Sequence, residues 1–229
     1  MKHLLSDGGN LLYLQGIEGS YLKEIDVSVL GHENGGYILD RTIMHYQGGG
    51  QPGDRGVLVS GNLIIPIYNV KKKGKNVLHL STAEASIDRG KLIVEWERRY
   101  KIMKMHTLQH AISAVIFSDG YKSLVTEVFP AYGYIESNSS VIKMSDDVYE
   151  ISRIPRNVKR YNVKREELDP KLMARCDLDK LPKSINEVSV VEIEGLDVCA
   201  CAGTHVKNTS EIGAYWIRTP GKRIEFGLF

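Results

Sequence analysis

Two short segments, His106-Thr107-Leu108-Gln109-His110 and Cys201-Ala202-Gly203-Thr204-His205, each place two metal-competent side chains four residues apart, in distant parts of the chain. Three imidazoles and one thiolate form a donor set that suits Zn²⁺. A fold that uses this set must bring the two segments together around one ion. The first segment lies within a stretch from Glu97 to Phe117 that contains neither Pro nor Gly. Such a stretch predicts one long helix, on which residues i and i+4 share a face. Either pattern alone arises readily by chance, and it is their joint occurrence that carries weight. A protease of the HExxH kind is disfavoured, because Thr107 stands where that motif needs its general-base Glu.

The chain has 229 residues, 42% of them hydrophobic, enough for one large folded domain or two small ones. Its 30 basic and 28 acidic side chains nearly cancel, so net charge by itself indicates no polyanionic partner. The basic residues are nevertheless clustered: Lys71-Lys72-Lys73-Gly74-Lys75, Arg98-Arg99-Tyr100-Lys101 with Lys104, the stretch from Arg153 to Arg165, and Lys222-Arg223. Each cluster reads either as a solvated face or as a set of phosphate contacts. Three cysteines make no disulfide framework and suit a reducing compartment. Cys199 is an alternative ligand to Cys201, although only Cys201 has the spacing to His205, and Cys176 reads as a simple thiol. No secretory h-region or membrane-spanning stretch is visible, so a cytoplasmic protein with no membrane partner is expected.

The expected fold class is α+β. From Tyr21 to about Leu92 the chain reads as short strands broken by Gly and Asn, with hairpin signals at Asn34-Gly35 and Gly61-Asn62, and residues 1–92 are predicted to form a small N-terminal β-barrel. Residues 93–229 predict an α+β domain. It opens with the long helix, which stops at Asp119-Gly120, and continues with strands at 124–129 and 132–137. Next come a helical stretch from Ser145 to Tyr161 interrupted by Pro155 and a helix started by Asp169-Pro170. A strand from Val188 leads into the Cys201 motif, and two strands close the chain. The glycine-rich loop Gly48-Gly49-Gly50-Gln51-Pro52-Gly53-Asp54-Arg55-Gly56 lies between strands. It lacks both the Lys-Ser or Lys-Thr of a P-loop and the following helix of a dinucleotide site.

Taken in order, Tyr21-Leu22-Lys23-Glu24, Gly48-Gly49-Gly50-Gln51-Pro52 with Asp54 and Gly56, Trp96-Glu97-Arg98-Arg99-Tyr100, the His106 segment and Cys201-Ala202-Gly203-Thr204-His205-Val206 form a recognisable series. The chain resembles the alanyl-tRNA editing proteins of the AlaX type, in their medium-length form, and the editing region of alanyl-tRNA synthetase. The resemblance implies a zinc-dependent deacylase that hydrolyses the ester of tRNA(Ala) mischarged with serine, and leaves open whether the glycine ester is also a substrate. It implies one zinc ion per chain on His106, His110, Cys201 and His205 and no side-chain base, with two roles open for the ion: it activates a water, or it captures the substrate's α-amino group and positions the ester. It further implies an acceptor-end contact made by Gly48, Gly49, Gly50, Gln51, Pro52, Asp54 and Gly56. A threonine that contacts the serine hydroxyl falls near Thr126, with Thr107 and Thr204 as further candidates. Two departures from the family pattern stand out: Ala202 where the family has a glycine, and Met44-His45-Tyr46-Gln47 in place of a Phe-Tyr-Pro run.

Two other readings compete. A noncatalytic RNA-binding module would use zinc only to hold its fold. A hydrolase of small esters or amides would act without tRNA, and the basic clusters flanking the zinc helix weigh against it.

Overall fold

Asn34 and Gly35 both adopt positive φ, 50° and 71°, as a two-residue hairpin turn requires. They join β1 (Glu24–Glu33) to β2 (Gly36–Leu39) in a computed structural model that describes residues 11–169, 174–176, 181 and 186–229. Five further strands follow: β3 (Gly56–Ser60), β4 (Leu63–Ile67), β5 (Asn69–Lys73), β6 (Asn76–Leu80) and β7 (Arg89–Val94). They form one antiparallel sheet in the order β4-β3-β7-β1-β2-β6-β5. A bulge between Val29 and Gly31 lets β1 pair with β7 over its first half and with β2 over its second. The expected barrel is not closed: β4 and β5 end the strand order, and no pairing joins them among the described residues. Both edges carry residue types that resist further pairing, Pro66 in β4 and the exposed Lys71, Lys72 and Lys73 in β5.

The helix α1 (Trp96–Ser118) is the one long helix among the described residues, and from Met105 to Ile116 every residue is buried. Its polar residues in that span, His106, Thr107, Gln109, His110 and Ser113, must therefore find partners inside the protein. Two sheets enclose it. One has the order β13 (Tyr215–Arg218), β14 (Arg223–Leu228), β9 (Gly133–Ser137), β8 (Ser123–Val128), and the other runs β10 (Val158–Lys164), β11 (Glu187–Ile193), β12 (Asp197–Ala200). A buried apolar cluster forms around α1 with Ile135, Val191, Ile193, Ile224 and Phe226, and a second lies within the N-terminal sheet around Leu58, Ile65, Ile67 and Leu92. No described helix is long and apolar enough to cross a membrane.

Two expectations are corrected here. The stretch from Ser145 to Tyr161 is not a helix: one short 3₁₀ turn, Asp146–Tyr149, precedes Pro155, and β10 begins at Val158. The alternation of buried Val158 and Arg160 with exposed Lys159 and Tyr161 shows the period of two that wins over the helical reading. Cys176 and Cys199 are not free thiols: they form a disulfide, which leaves Cys201 as the free cysteine. Arg175 bonds Asp197 at the start of β12, which brings Cys176 against the strand that carries Cys199. The helix expected from Asp169-Pro170 falls largely outside the described residues.

The joint between the N-terminal sheet and α1 is a buried ion pair. Arg99, in the first turns of α1, donates from Nε to both oxygens of Asp54, at 2.9 and 3.0 Å, and its Nη2 also reaches Asp54. The same guanidinium donates to the carbonyls of Ser20 and Ile43, and both charged side chains are 0% exposed. Removing one member of such a pair strands the other charge without water. Asp54→Ala is expected to cost about 3–5 kcal/mol, read as a lower urea midpoint at unchanged slope.

His79 supplies a pH dependence. Its Nδ1–H donates to the Tyr37 carbonyl at 3.1 Å, and its Nε2 accepts from the Thr42 hydroxyl at 2.8 Å, so the ring is held neutral. Burial lowers its pKa to about 4, against the partial opposition of Tyr37 and Asp54. The folded value lies below the unfolded one, so this contribution is fully present above about pH 6.5 and is lost as pH falls toward 4. Stability is expected to drop by on the order of 2 kcal/mol between pH 7 and 5 from this residue, and His79→Asn should flatten that part of a pH series of urea melts.

Candidate metal centre

Successive turns of α1 carry His106 and His110, and the segment after β12 folds back across them with Cys201 and His205. The ring centroids of His106 and His205 are 4.3 Å apart, those of His110 and His205 4.7 Å, and those of the two helix histidines 5.2 Å. One donor atom from each of the four residues lies within 4.8 Å of the others. Cys201 Sγ is 3.7 Å from His106 Nε2 and 3.3 Å from His205 Nε2. A tetrahedral ion with bonds of about 2.0–2.3 Å sets its donors on the order of 3.3–3.8 Å apart, a range that the two sulfur–nitrogen distances meet. The three histidines are buried and Cys201 is partly exposed.

Each imidazole has its Nδ1 tied elsewhere, which leaves Nε2 for the cluster. His106 Nδ1 donates to Gln51 Oε1 at 2.8 Å, and His110 Nδ1 donates to Asp197 Oδ2 at 2.9 Å. His205 Nδ1 lies 3.1 Å from Thr107 Oγ1, whose own proton goes to the Met103 carbonyl at 3.0 Å. The imidazole is then the donor, and the hydroxyl also accepts from the Val206 amide at 3.2 Å. Three acceptors on three different segments thus fix three tautomers, as the outer partners of metal-bound histidines do.

The electrostatics match the protonation states that a metal requires at His106, His205 and Cys201, whereas His110 is raised: burial would lower it, but Cys201 and Asp197 outweigh that and favour its protonated form. Burial lowers His106 and lowers His205 strongly, and so favours neutral rings. Burial works against the Cys201 thiolate, but the three facing histidines outweigh it and bring the thiol well below its usual range. Asp197 is held at about 2: burial would raise it, while Arg175 and His110 lower it. Arg175 grips both oxygens of Asp197, at 2.8 and 2.6 Å. Buried Arg160 donates to the Cys201 carbonyl at 3.1 Å and to the Gly203 carbonyl, fixing the bend between the two ligands. Gly203 must be glycine, since a Cβ there would lie 2.1 Å from His106 Cε1 and 2.7 Å from Gln51 Oε1. The neighbouring departure, Ala202, falls on an exposed position and is accommodated.

Several expected roles shift with this geometry. Gln51 is buried: its Oε1 accepts from His106 and from the Thr204 amide at 2.9 Å, and its Nε2 donates to the Thr204 hydroxyl at 3.0 Å. Gln51 and Asp54 were expected at an acceptor end, but their polar groups are consumed by the cluster and by Arg99. Thr107 and Thr204 are fully buried, and their hydroxyls bond His205 and Gln51 respectively. Cys199, the alternative ligand, is spent in the disulfide. Gly48, Gly49, Gly50 and Pro52 remain at least partly accessible, as does Gly56, which packs closely over the Ile93 carbonyl. Thr126 is half-buried on β8, with Gly50 packed against its carbonyl and hydroxyl. Sequence reasoning missed Asp197, Arg175 and Arg160, which sit in no motif, and saw Gln51 in a different role.

Residues 188–224 match the family model for the second additional domain of threonyl and alanyl tRNA synthetases. The chain is 32% identical to the alanyl-tRNA editing protein AlaX-M of Methanosarcina barkeri, over 84% of this chain and 86% of that protein. It is 33% identical to the AlaX-L protein of Pyrococcus horikoshii, over 84% of this chain and 50% of the relative. It is 30% identical to the alanine–tRNA ligase of Ignicoccus hospitalis, over 91% of this chain and 25% of the ligase. The chain thus spans half or less of the length of the two longer relatives and most of the AlaX-M protein.

The bond from Gln51 to His106 has a measurable consequence. Gln51→Ala frees the His106 ring to rotate and is expected to weaken metal binding by about 10–100-fold. Competition against a chromophoric chelator reads this directly, and circular dichroism should show the fold retained.

Proposed function

Because this chain belongs to the AlaX-type alanyl-tRNA editing proteins, we propose that it is a deacylase acting in trans on tRNA(Ala) mischarged with serine, and also on the glycine ester. The observation that carries this reading is the convergence of four donor atoms, with the Nδ1 of each of the three histidines held by a partner outside the cluster and Nε2 left for the ion. In this reading His106, His110, Cys201 and His205 hold one zinc ion per chain. When bound, zinc supplies Lewis acidity toward an ester carbonyl and toward water. The chain's own residues hold the site in shape. Gln51, Asp197 and Thr107 keep the rings in one tautomer, and Arg160 and Gly203 set the turn between the last two ligands. Residues 1–92 hold the acceptor end through Gly48, Gly49 and Gly50, and residues 93–229 carry the hydrolytic site.

Thr126 is the residue assigned to serine. It is the one candidate threonine with an accessible side, and it lies beside Gly50, next in the chain to Gln51. A hydroxyl paired with the serine side chain would lose its partner when alanine binds, a difference of about 1–3 kcal/mol. The donor count favours a second reading, because four protein ligands fill a tetrahedral ion and closed sites are commonly structural. That reading is a noncatalytic, zinc-stabilised RNA-binding module.

Deacylation of Ser-, Gly- and Ala-tRNA(Ala), measured side by side with and without a chelator, separates the two. Metal-dependent release of serine and glycine with alanine spared is the expected result, and Thr126→Val should narrow the serine-to-alanine rate ratio on the order of ten-fold. Retention of tRNA binding with no metal-dependent turnover of any ester would establish the module instead.

A further inference from the structure

We infer that the hairpin of β5 and β6 is an arm that binds the phosphate backbone of the tRNA acceptor end beside the metal centre. The inference rests on the editing reading and adds the surface by which the RNA is held. Lys71, Lys72 and Lys73 lie on β5 and Lys75 follows in the turn, and all four are exposed. None of them is paired with a carboxylate among the described residues, whereas Lys91, Lys164 and Lys207 are paired with Glu24, Glu167 and Glu18. The hairpin therefore presents unneutralised ammonium groups, the side chains that meet RNA phosphates without reading sequence.

Its position sets this cluster apart from other basic residues. The glycine-rich loop is fastened to β5: the Gln47 amide donates to the Val70 carbonyl at 2.8 Å, and Asn69 Nδ2 donates to Gln47 Oε1 at 3.2 Å. Gly53 presses so closely on the same strand that a Cβ there would fall 2.2 Å from Asn69 Oδ1 and 2.6 Å from the Val70 carbonyl. Lys72 Nζ stands 5.8 Å over the Tyr46 ring, and Gly48 packs on that ring. Gly48 and Gln51 close the loop with reciprocal backbone bonds of 3.0 Å, and Gln51 ends on His106. One unbroken series of contacts therefore runs from the lysines to the metal ligands. A strand whose 3′ ester reaches the ligands past Gly48–Gly50 would pass its phosphates beside this hairpin. Edge-strand lysines also serve simply to prevent unwanted strand pairing, and the test separates the two roles.

The experiment compares the wild-type chain with the triple variant Lys71→Ala, Lys72→Ala, Lys73→Ala and with the corresponding triple Lys→Arg variant. Binding of uncharged tRNA(Ala) by fluorescence anisotropy is followed over a salt series, alongside deacylation of Ser-tRNA(Ala). The alanine variant is expected to flatten the slope of log K against log salt by about 2–3 and to raise KM about ten-fold at low salt. Its kcat should stay within about two-fold, and the arginine variant should restore both slope and KM. An unchanged slope and KM in the alanine variant would overturn the inference and leave the lysines as edge protection. A wild-type chain that binds tRNA(Ala) without hydrolysing its serine ester would overturn the editing reading instead, while the salt slopes would still decide the arm.

Discussion

An imidazole ring offers two nitrogens, and a site that needs three rings pointing the same nitrogen at one spot must find a separate acceptor for each of the other three. Much of the interior is arranged to meet that demand. Gln51 comes from a loop of the N-terminal sheet, Asp197 from the start of β12, and Thr107 from α1 itself. Each acceptor is in turn held by something else: Gln51 by Thr204, Asp197 by Arg175, and Thr107 by Met103 and Val206. Buried polar groups of this kind stabilise only when all of them are satisfied, so the outer partners and the ligands form one unit.

The buried pair of Arg99 and Asp54 places the first of these acceptors. Arg99 rises from the same helix as His106, and Asp54 lies three residues beyond Gln51, so the ion pair fixes the loop relative to the helix close to the ligands. Arg98, alongside, donates to the Gly53 carbonyl at 2.9 Å and adds a second tie. Part of what looked in the sequence like a basic patch for RNA is thus internal bracing. On the far side of the cluster, Glu211 accepts from the hydroxyls of both Tyr21 and Tyr100 at 2.8 Å and secures the segment that follows His205. Here too a residue near the N-terminus and one on α1 meet a C-terminal partner.

What could be read from the sequence was what depends on local geometry. The spacing of His106 and His110 implies a shared helix face wherever the helix ends up, and Asn34-Gly35 implies a turn whatever flanks it. The long helix and most of the strands follow from periodicity in the same way. The features that escaped depend on pairs far apart in the chain. Nothing local tells Asp54 that it will meet Arg99, or Gln51 that it will face His106, so both read as parts of a ligand-binding loop. The charged run before Tyr161 has a composition that suits a helix, and only the burial of Val158 and Arg160 against β11 makes it a strand. The open N-terminal sheet and the bond between Cys176 and Cys199 likewise arise from neighbours that sequence order does not reveal.

The origin of Gln51 has one more implication. The span from residue 93 to the C-terminus holds all four donor atoms but only two of the three groups that orient their rings, because the third is contributed by the strand-rich half. Ownership of the site is therefore divided between the two halves. If the halves were parted, the imidazole at 106 could spin end over end and offer either nitrogen, and the centre would keep its composition while losing its aim.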